Sequence, residues 1–373
     1  SMFIGTWWSL VPPLLAIVLA LVTKEVYSSL FIGVAMGALL YTGFHPWNAF
    51  VAFFDIMKNS MNLNILIFDV LLGMIIVLMS KSGGSAAYGK WAGTKIKSKK
   101  SAMLATTGLG VLIFVDDYFN CLTVGSVMRP VTDRFKVSRA KLAYIIDATA
   151  APVCIIAPIS SWAAAVGSSL PEDSGVDGFS LFLHTIPFNL YALLTICFML
   201  FLVAGDFDFA AMKRYEEQVK KTGKETTVEA EAMEISGNGK VIDLILPILV
   251  LIAFCVSGML YTGGILDGVG LVEAFANCDS ALSLVLGSFF TLVFIFAFYM
   301  IRRVIRFNEF CESFTIGVKA MIPAIMILCL AWTLSGICSA DYLNIGGYVK
   351  EVVGGNALVG SLMPALMFVI AAG

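Results

Sequence analysis

Long hydrophobic stretches alternate with short polar segments along the whole chain. We read the apolar stretches as membrane-spanning helices, because a helix needs about 17–25 mostly apolar residues to cross the hydrocarbon layer. The predicted spans are residues 10–23, 26–42, 62–80, 140–167, 181–205, 241–262, 281–301 and 317–338. A further apolar run, Ser101–Met128, is interrupted in its middle, and a last run begins near Ser361.

Composition supports a membrane protein. The 373 residues are 59% hydrophobic and 13% charged, whereas a soluble domain carries about 25% charged residues. The net charge of −2 gives no reason to expect a nucleic-acid partner. The eight cysteines form no CxxC pair and no Cys/His cluster, so we interpret them as small buried side chains rather than metal ligands. The predicted fold class is an all-α integral membrane protein embedded in the lipid bilayer.

The basic residues predict which side of the membrane each loop faces, because Lys and Arg concentrate in cytoplasmic loops. The basic segments are residues 81–100, 129–141, 206–240 and 302–306. All four face the cytoplasm only if Ser101–Met128 enters the membrane and returns to the same side. As one straight helix its 28 residues would reach about 42 Å. We therefore predict a re-entrant hairpin there, in a multi-pass protein of the cytoplasmic membrane.

An internal repeat emerges when the chain is shifted against itself by 260 positions. The identical pairs include Asn48 with Asn308, Phe50 with Phe310, Phe54 with Phe314, Ile56 with Ile316, Met61 with Met321, Ile65 with Ile325, Ile67 with Ile327, Ser101 with Ser361, Met103 with Met363, and Ala105 with Ala365. The first predicted helix runs inward and the helix starting at Val241 runs outward. Inverted repeats of this kind are typical of secondary transporters, with the site at mid-membrane between the halves.

The repeat divides the chain into three parts. The predicted parts are a first repeat at 1–204 (scaffold helices 10–80, hairpin 101–128, broken helix 140–167, helix 181–204), a cytoplasmic linker at 205–240, and a second, inverted repeat at 241–373. By the same offset a complete second repeat would reach about residue 465. We therefore expect the chain to be truncated relative to a working carrier, without the second half of its site.

Two adjacent acids, Asp116 and Asp117, lie at the centre of the predicted hairpin. Each ionised acid at the centre of a bilayer costs on the order of 3 kcal/mol, so a structural role is a poor reason to keep both. The functional interpretation is a cation site, with Asn120 and Thr123 adding neutral oxygens and the ends of two half-helices adding dipoles. The alternative is a turn exposed to the cytoplasm.

A second interrupted span follows at residues 140–167. Pro152 and Pro158 remove backbone donors within it and should open the helix. The freed carbonyls could then face the hairpin together with Asp147, Thr149, Ser160 and Ser161. We predict that sodium binds at Asp116, Asp117, Asn120 and Asp147. The three hydroxyl groups are weaker candidates, because Ser and Thr in membrane helices often bond only their own backbone.

Asp69 also lies inside an apolar run, the third predicted span. We interpret it as a residue that pairs with another helix rather than as part of the ion site.

The sequence around these breaks resembles the NhaC-type sodium/proton antiporters, a family within a wider ion-transporter superfamily. The resemblance rests on the segments 115–120, 129–133, 151–152 and 157–162, which read VDDYFN, RPVTD, AP and APISSW. It implies two inverted repeats, each with scaffold helices, a re-entrant hairpin and an unwound helix. It also implies a homodimer in which the transport part moves like an elevator. No cofactor is implied beyond the transported sodium.

The predicted function is therefore exchange of sodium for protons, which compete for the carboxylates. The main alternative is sodium- or proton-coupled transport of a small organic acid (malate- or lactate-like) or an amino acid. The sequence offers no lone intramembrane arginine for a carboxylate substrate, because Arg129 lies at the predicted cytoplasmic rim. A channel would need a continuous polar stripe, and an enzyme would need a nucleophile with a base. We find neither pattern, so no enzymatic activity is predicted.

Overall fold

The computed structural model describes residues 2–158, 160–168, 178–222, 238–354 and 362. Within these ranges every regular element is a helix. Part of the predicted linker (223–237) and the end of the predicted second repeat (363–373), including Met363 and Ala365, lie outside the described residues. Ser361 lies outside them as well.

The chain order of the helices is as follows. The α-helices are α1 (Val11–Thr23), α2 (Val26–Tyr41), α3 (Pro46–Ser60), α4 (Leu63–Lys81), α5 (Gly84–Lys95), α6 (Lys99–Leu112), α7 (Asp117–Arg134), α8 (Arg139–Cys154), α9 (Ser161–Ser168), α10 (Gly178–Thr185), α11 (Leu190–Gly205), α12 (Ala210–Thr222), α13 (Ile242–Thr262), α14 (Leu271–Ala276), α15 (Ser280–Ile301), α16 (Phe307–Cys338) and α17 (Ile345–Gly354). Short 3-10 turns occur at Trp7–Leu10, Ile186–Phe188 and Ile265–Asp267.

Among the described residues, five helical segments are long and apolar enough to cross a membrane. They are α4, α13, α15, α16 and the segment Leu190–Val219, which contains α11. A sixth span is counted if α2 and α3, which are bent by 119° relative to each other, act as one broken span. The predicted class, an all-α multi-pass membrane protein, is therefore confirmed.

Three elements differ from the sequence prediction. Helix α3 was not predicted as a span, because Asp55 and Lys58 interrupt its apolar pattern. Helix α16 begins at Phe307, ten residues before the predicted start, because polar residues in its first turns lower the local hydropathy without breaking the helix. The predicted helix 181–205 is divided at the turn Ile186–Phe188, where Pro187 cannot continue the hydrogen-bonding pattern and Asn189 caps α11.

The chain forms two compact units. The first comprises residues 1–63 and 322–373, and the second comprises residues 64–321. In the first unit α1 packs on α2, and α2 packs on α3. An apolar cluster lies in its buried interior. The core residues are Val34, Ala38, Leu40, Ala49, Phe53, Ile56, Ile337 and Leu343.

The second unit contains the two predicted breaks. Helix α8 contacts α6, α7 and α11, and α13 packs along α15. An apolar cluster fills the space between α6, α8 and α11. Its members are Met103, Val137, Ile145, Ala148, Met199 and Val203. Helices α6 and α7, which flank the first break, therefore both pack against α8, and α8 ends at the second break.

Helix α12 and the segment before it are fixed to the second unit by ion pairs. The Lys141 ammonium, whose side chain is 3% exposed, lies 2.8 Å from an oxygen of Asp208. The Lys99 ammonium lies 3.6 Å from Asp206 and 3.7 Å from the buried Glu216 of α12. Removing one partner of a buried ion pair is strongly destabilising, because the other charge is left without compensation. Lys99 at the start of α6 and Lys141 at the start of α8 thus form ion pairs with the beginning of the predicted linker.

We expect Lys141→Met to release α12. Asp208 would lose its closest cation, so limited trypsin digestion should cut after Lys213 or Arg214 faster than in the wild type. Cleavage sites are assigned by mass spectrometry of the purified protein. The matched control is Lys136→Met, which removes an exposed lysine; equal cleavage rates in the two variants would argue against the clamp.

Candidate functional site

The first break separates α6 from α7 at residues 113–116. Asp116 caps α7, and its Oδ1 accepts a hydrogen bond from the Phe119 backbone N–H at 2.9 Å. Aspartate is a preferred N-cap, and the helix dipole attracts negative charge there. The carboxylate is nevertheless buried, with 6% of the residue exposed. The local sequence thus places an acid at a helix start inside the protein.

Asn120 closes the other side of this break. Its Nδ2 donates to the carbonyl oxygens of Gly110 (2.6 Å) and Ile113 (2.7 Å), which have lost their partners at the end of α6. Its Oδ1 and the Thr123 hydroxyl oxygen are buried and have no hydrogen-bond partner among the described residues. Two neutral oxygens on α7 are therefore available as ligands.

The second break separates α8 from α9 at residues 155–160. Pro152 lies in the last turn of α8, where a proline disturbs the preceding turn. The Ser160 hydroxyl lies 2.7 Å from the Cys154 carbonyl oxygen and accepts from the Ala163 N–H at 3.2 Å. Ser160 thus bridges the end of one half-helix and the start of the next.

Three hydrogen bonds join the two breaks. The Ser161 hydroxyl donates to Asp116 Oδ2 at 2.8 Å, and the Ser161 backbone N–H donates to the Val115 carbonyl at 2.8 Å. The Trp162 indole N–H donates to Asp117 Oδ1 at 3.2 Å. Both aspartates of the first break are therefore contacted from the start of α9.

The remaining predicted residues lie on α8. The Thr149 hydroxyl bonds the Ile145 carbonyl of its own helix at 2.8 Å, which matches the alternative interpretation given for hydroxyls. The same side chain lies directly against Gly110 of α6, where an added Cβ would come within 2.5 Å of the threonine oxygen. Asp147 is exposed and lies within electrostatic range of Cys121 on α7. It takes no part in the three bonds between the breaks.

Asp69 is the acid that sequence reasoning set aside. It is 4% exposed in α4 and lies within electrostatic range of both Asp116 and Asp117. Its Oδ2 has no hydrogen-bond partner among the described residues. In the sequence, Asp69 stands out only as an acid inside an apolar run. No spacing of residues along the chain predicts that α4 lies near α7. Within the described ranges, no three His, Cys, Asp or Glu side chains are close enough to hold a metal ion together.

The bond from Ser161 to Asp116 gives a direct test of this arrangement. Ser161→Ala should lower the free energy of unfolding by about 2 kcal/mol, because hydrogen bonds to charged groups contribute about 1.5–3 kcal/mol. Thermal denaturation in detergent measures the change. Ser126→Ala is the control, since that hydroxyl bonds only the Thr123 carbonyl of its own helix. If Ser161→Ala lowers the free energy of unfolding no more than Ser126→Ala does, the hydrogen bond from Ser161 to Asp116 is contradicted.

Apolar spans interrupted at buried acids are typical of secondary transporters, and comparison with known proteins agrees. Residues 164–373 match the Na+/H+ antiporter family. An uncharacterized protein of Haemophilus influenzae is 37% identical over 392 aligned residues, which cover 99% of this chain and 74% of that protein. No solved structure matches the chain significantly.

The chain belongs to the Na+/H+ antiporter family, as the sequence motifs predicted. It is a multi-pass membrane protein of a cation/proton antiporter family. The family match begins at residue 164, after both breaks, so the roles of Asp116 and Asp117 rest on the geometry of the breaks.

Proposed function

We propose that this protein exchanges sodium for protons across the cytoplasmic membrane, with Asp116 and Asp117 binding either cation. The observation that carries the proposal is the set of hydrogen bonds from Ser161 and Trp162 to these two carboxylates. They bring two helix breaks together at the buried Asp116 and the half-buried Asp117. A carboxylate can bind a proton or a hard cation such as sodium, for which oxygen ligands are suited.

The neighbouring groups would complete the ion's surroundings. Asn120 Oδ1 and the Thr123 hydroxyl supply neutral oxygens. Both are buried and have no partner within the described ranges. Ser161 orients Asp116, whereas Ser160 and Thr149 act through the backbone and the packing of α8. Asp147 would draw cations toward the site from the exposed face of its helix.

Exchange follows from charge. Two adjacent carboxylates repel each other when both are ionised, so the empty site is costly inside the membrane. Binding of sodium or a proton relieves that cost. If the transport part moves only when a cation is bound, each inward passage must be followed by an outward passage with a bound cation. Sodium that enters and a proton that returns then give net exchange.

The proposed inverted repeat is supported by matching backbone geometry. Helices α2 and α15 end 260 residues apart, at Tyr41 and Ile301. Each is followed by a left-handed residue at the same offset, Gly43 (φ 67°) and Arg303 (φ 54°). Gly43 adopts this conformation freely, whereas a positive φ is uncommon for a residue such as Arg303. Each turn also has the 6→1 bond of a Schellman motif. The paired bonds run from Phe44 N to Leu39 O (2.7 Å) and from Val304 N to Tyr299 O (3.0 Å).

We accordingly propose the two-repeat organisation at 1–204 and 241–373, with a cytoplasmic linker at 205–240 and the basic segments inside. A homodimer with an elevator-like movement remains part of this proposal, on the resemblance alone. Coupled transport of a small organic acid or amino acid is the competing function.

Proteoliposome assays distinguish the two functions. An imposed sodium gradient should drive proton movement, read with a pH-sensitive dye, in the absence of any organic solute. Malate, lactate and amino acids are then added one at a time. A proton signal that requires an organic solute would favour the competing function.

A further inference from the structure

Asp69 is a buried carboxyl group that forms no ion pair within the described ranges. The residue lies in the spanning helix α4 and is 4% exposed. Its Oδ2 has no hydrogen-bond partner in the part of the chain that the structure describes. None of the lysines, arginines or histidines in the described ranges forms an ion pair with it. A buried carboxylate without a partner is tolerated only when a proton or another cation neutralises it.

The position of Asp69 relates it to the proposed exchange site without making it part of that site. It lies within electrostatic range of Asp116 and Asp117. No hydrogen bond joins Asp69 to either residue in the described structure, and the three acids are too far apart to hold one metal ion together. Asp69 is therefore a separate position that interacts electrostatically with Asp116 and Asp117.

The two locations also differ in their donors. Asp116 accepts from a backbone N–H and from the Ser161 hydroxyl, and Asp117 accepts from the Trp162 indole. These donors stabilise carboxylate anions. Asp69 Oδ2 has none of them among the described residues, so a proton or another cation must neutralise this carboxyl group.

We propose that Asp69 is a second cation-accepting position of the carrier, for a small monovalent cation, Na+ or H+. The inference rests on the proposed exchange at Asp116 and Asp117 and extends it. A cation at one position reduces the negative charge that attracts a cation to the other. By thermodynamic linkage the effect is the same in both directions. The two positions thus compete through space, which is the coupling that exchange requires.

The test compares Asp69→Asn with the wild type and with Asp55→Asn, which neutralises an exposed acid on α3. Three quantities are measured on the purified protein. They are the KM for sodium in proteoliposome exchange, the number of protons moved per sodium ion, and the number of 22Na+ ions bound per chain.

We expect Asp69→Asn to raise the KM for sodium about tenfold through loss of a nearby negative charge. If the position takes a proton, fewer protons move per sodium ion; if it takes sodium, one fewer 22Na+ binds per chain. The melting temperature without sodium should stay equal or rise, because a repulsive charge is removed. A purely structural role for Asp69 predicts a lower melting temperature and an unchanged KM.

Wild-type values of all three quantities in Asp69→Asn would overturn the second position and leave exchange at Asp116 and Asp117 intact. A wild-type protein that neither binds sodium nor exchanges it would overturn both proposals. Asp55→Asn should behave as the wild type in every assay. If it raises the KM as much as Asp69→Asn does, the effect is one of general charge, and the assignment of Asp69 is wrong.

Discussion

Replacing Asp116 and Asp117 together by asparagine should reduce sodium-dependent proton flux to the background of protein-free vesicles. Asparagine keeps the size and the neutral oxygen of the side chain but cannot exchange a proton for a sodium ion. The fold should persist, because the Ser161 hydroxyl can still donate to an amide oxygen at position 116. The double variant should even melt at a higher temperature without sodium, since the repulsion between neighbouring acids disappears.

The matched control removes two carboxylates elsewhere. Asp55 and Asp341 are exposed, and Asp55→Asn/Asp341→Asn changes the net charge by the same amount. This control should retain wild-type flux. Normal flux from the Asp116→Asn/Asp117→Asn protein would show that these two carboxylates do not bind the transported cations.

The second large effect is expected at Gly110. A Cβ there would come within 2.5 Å of the Thr149 oxygen and 3.0 Å of the Thr149 Cβ, so α6 and α8 must separate. Overpacking of this kind costs about 1–3 kcal/mol. The Gly110 carbonyl also accepts from Asn120, so the separation should disturb the site and lower exchange about tenfold or more.

Gly108 provides a control in the same helix. Nothing lies within 4 Å of a Cβ added at Gly108, so Gly108→Ala should be neutral or stabilise α6 by about 1 kcal/mol. Thermal denaturation and exchange are measured for both variants. Adding Thr149→Ala to Gly110→Ala should restore part of the loss. Equal behaviour of Gly108→Ala and Gly110→Ala would contradict the close contact between α6 and α8.

The sequence predicted both breaks because their signals are local. Two adjacent acids in an apolar run locate the first break, and Pro152 with Pro158 locates the second. Helix caps and proline geometry depend on residues a few positions apart, so they can be read from one chain. By sequence Ser161 is a weaker candidate than Asp147, yet the Ser161 hydroxyl donates to Asp116 Oδ2 at 2.8 Å.

The parts that sequence could not predict depend on tertiary contacts. Helix α3 contains enough polar residues to fail a hydropathy count, yet packing of Phe53 and Ile56 into an apolar core stabilises it. From the sequence, Asp69 is interpreted as pairing with another helix because it lies inside an apolar span. Only the folded chain brings it within electrostatic range of Asp116. Trp162 was part of a motif, but its bond to Asp117 depends on how α9 meets α7.

Competition between sodium and protons at Asp116 and Asp117 can be measured directly by carbodiimide labelling. A hydrophobic carbodiimide modifies protonated carboxyl groups within the membrane, and peptide mass spectrometry identifies the modified residue. Labelling of the peptide that contains Asp116 and Asp117 should fall progressively as sodium replaces choline at constant pH. Labelling that is unaffected by sodium would mean that the ion does not bind at the meeting point of the two helix breaks.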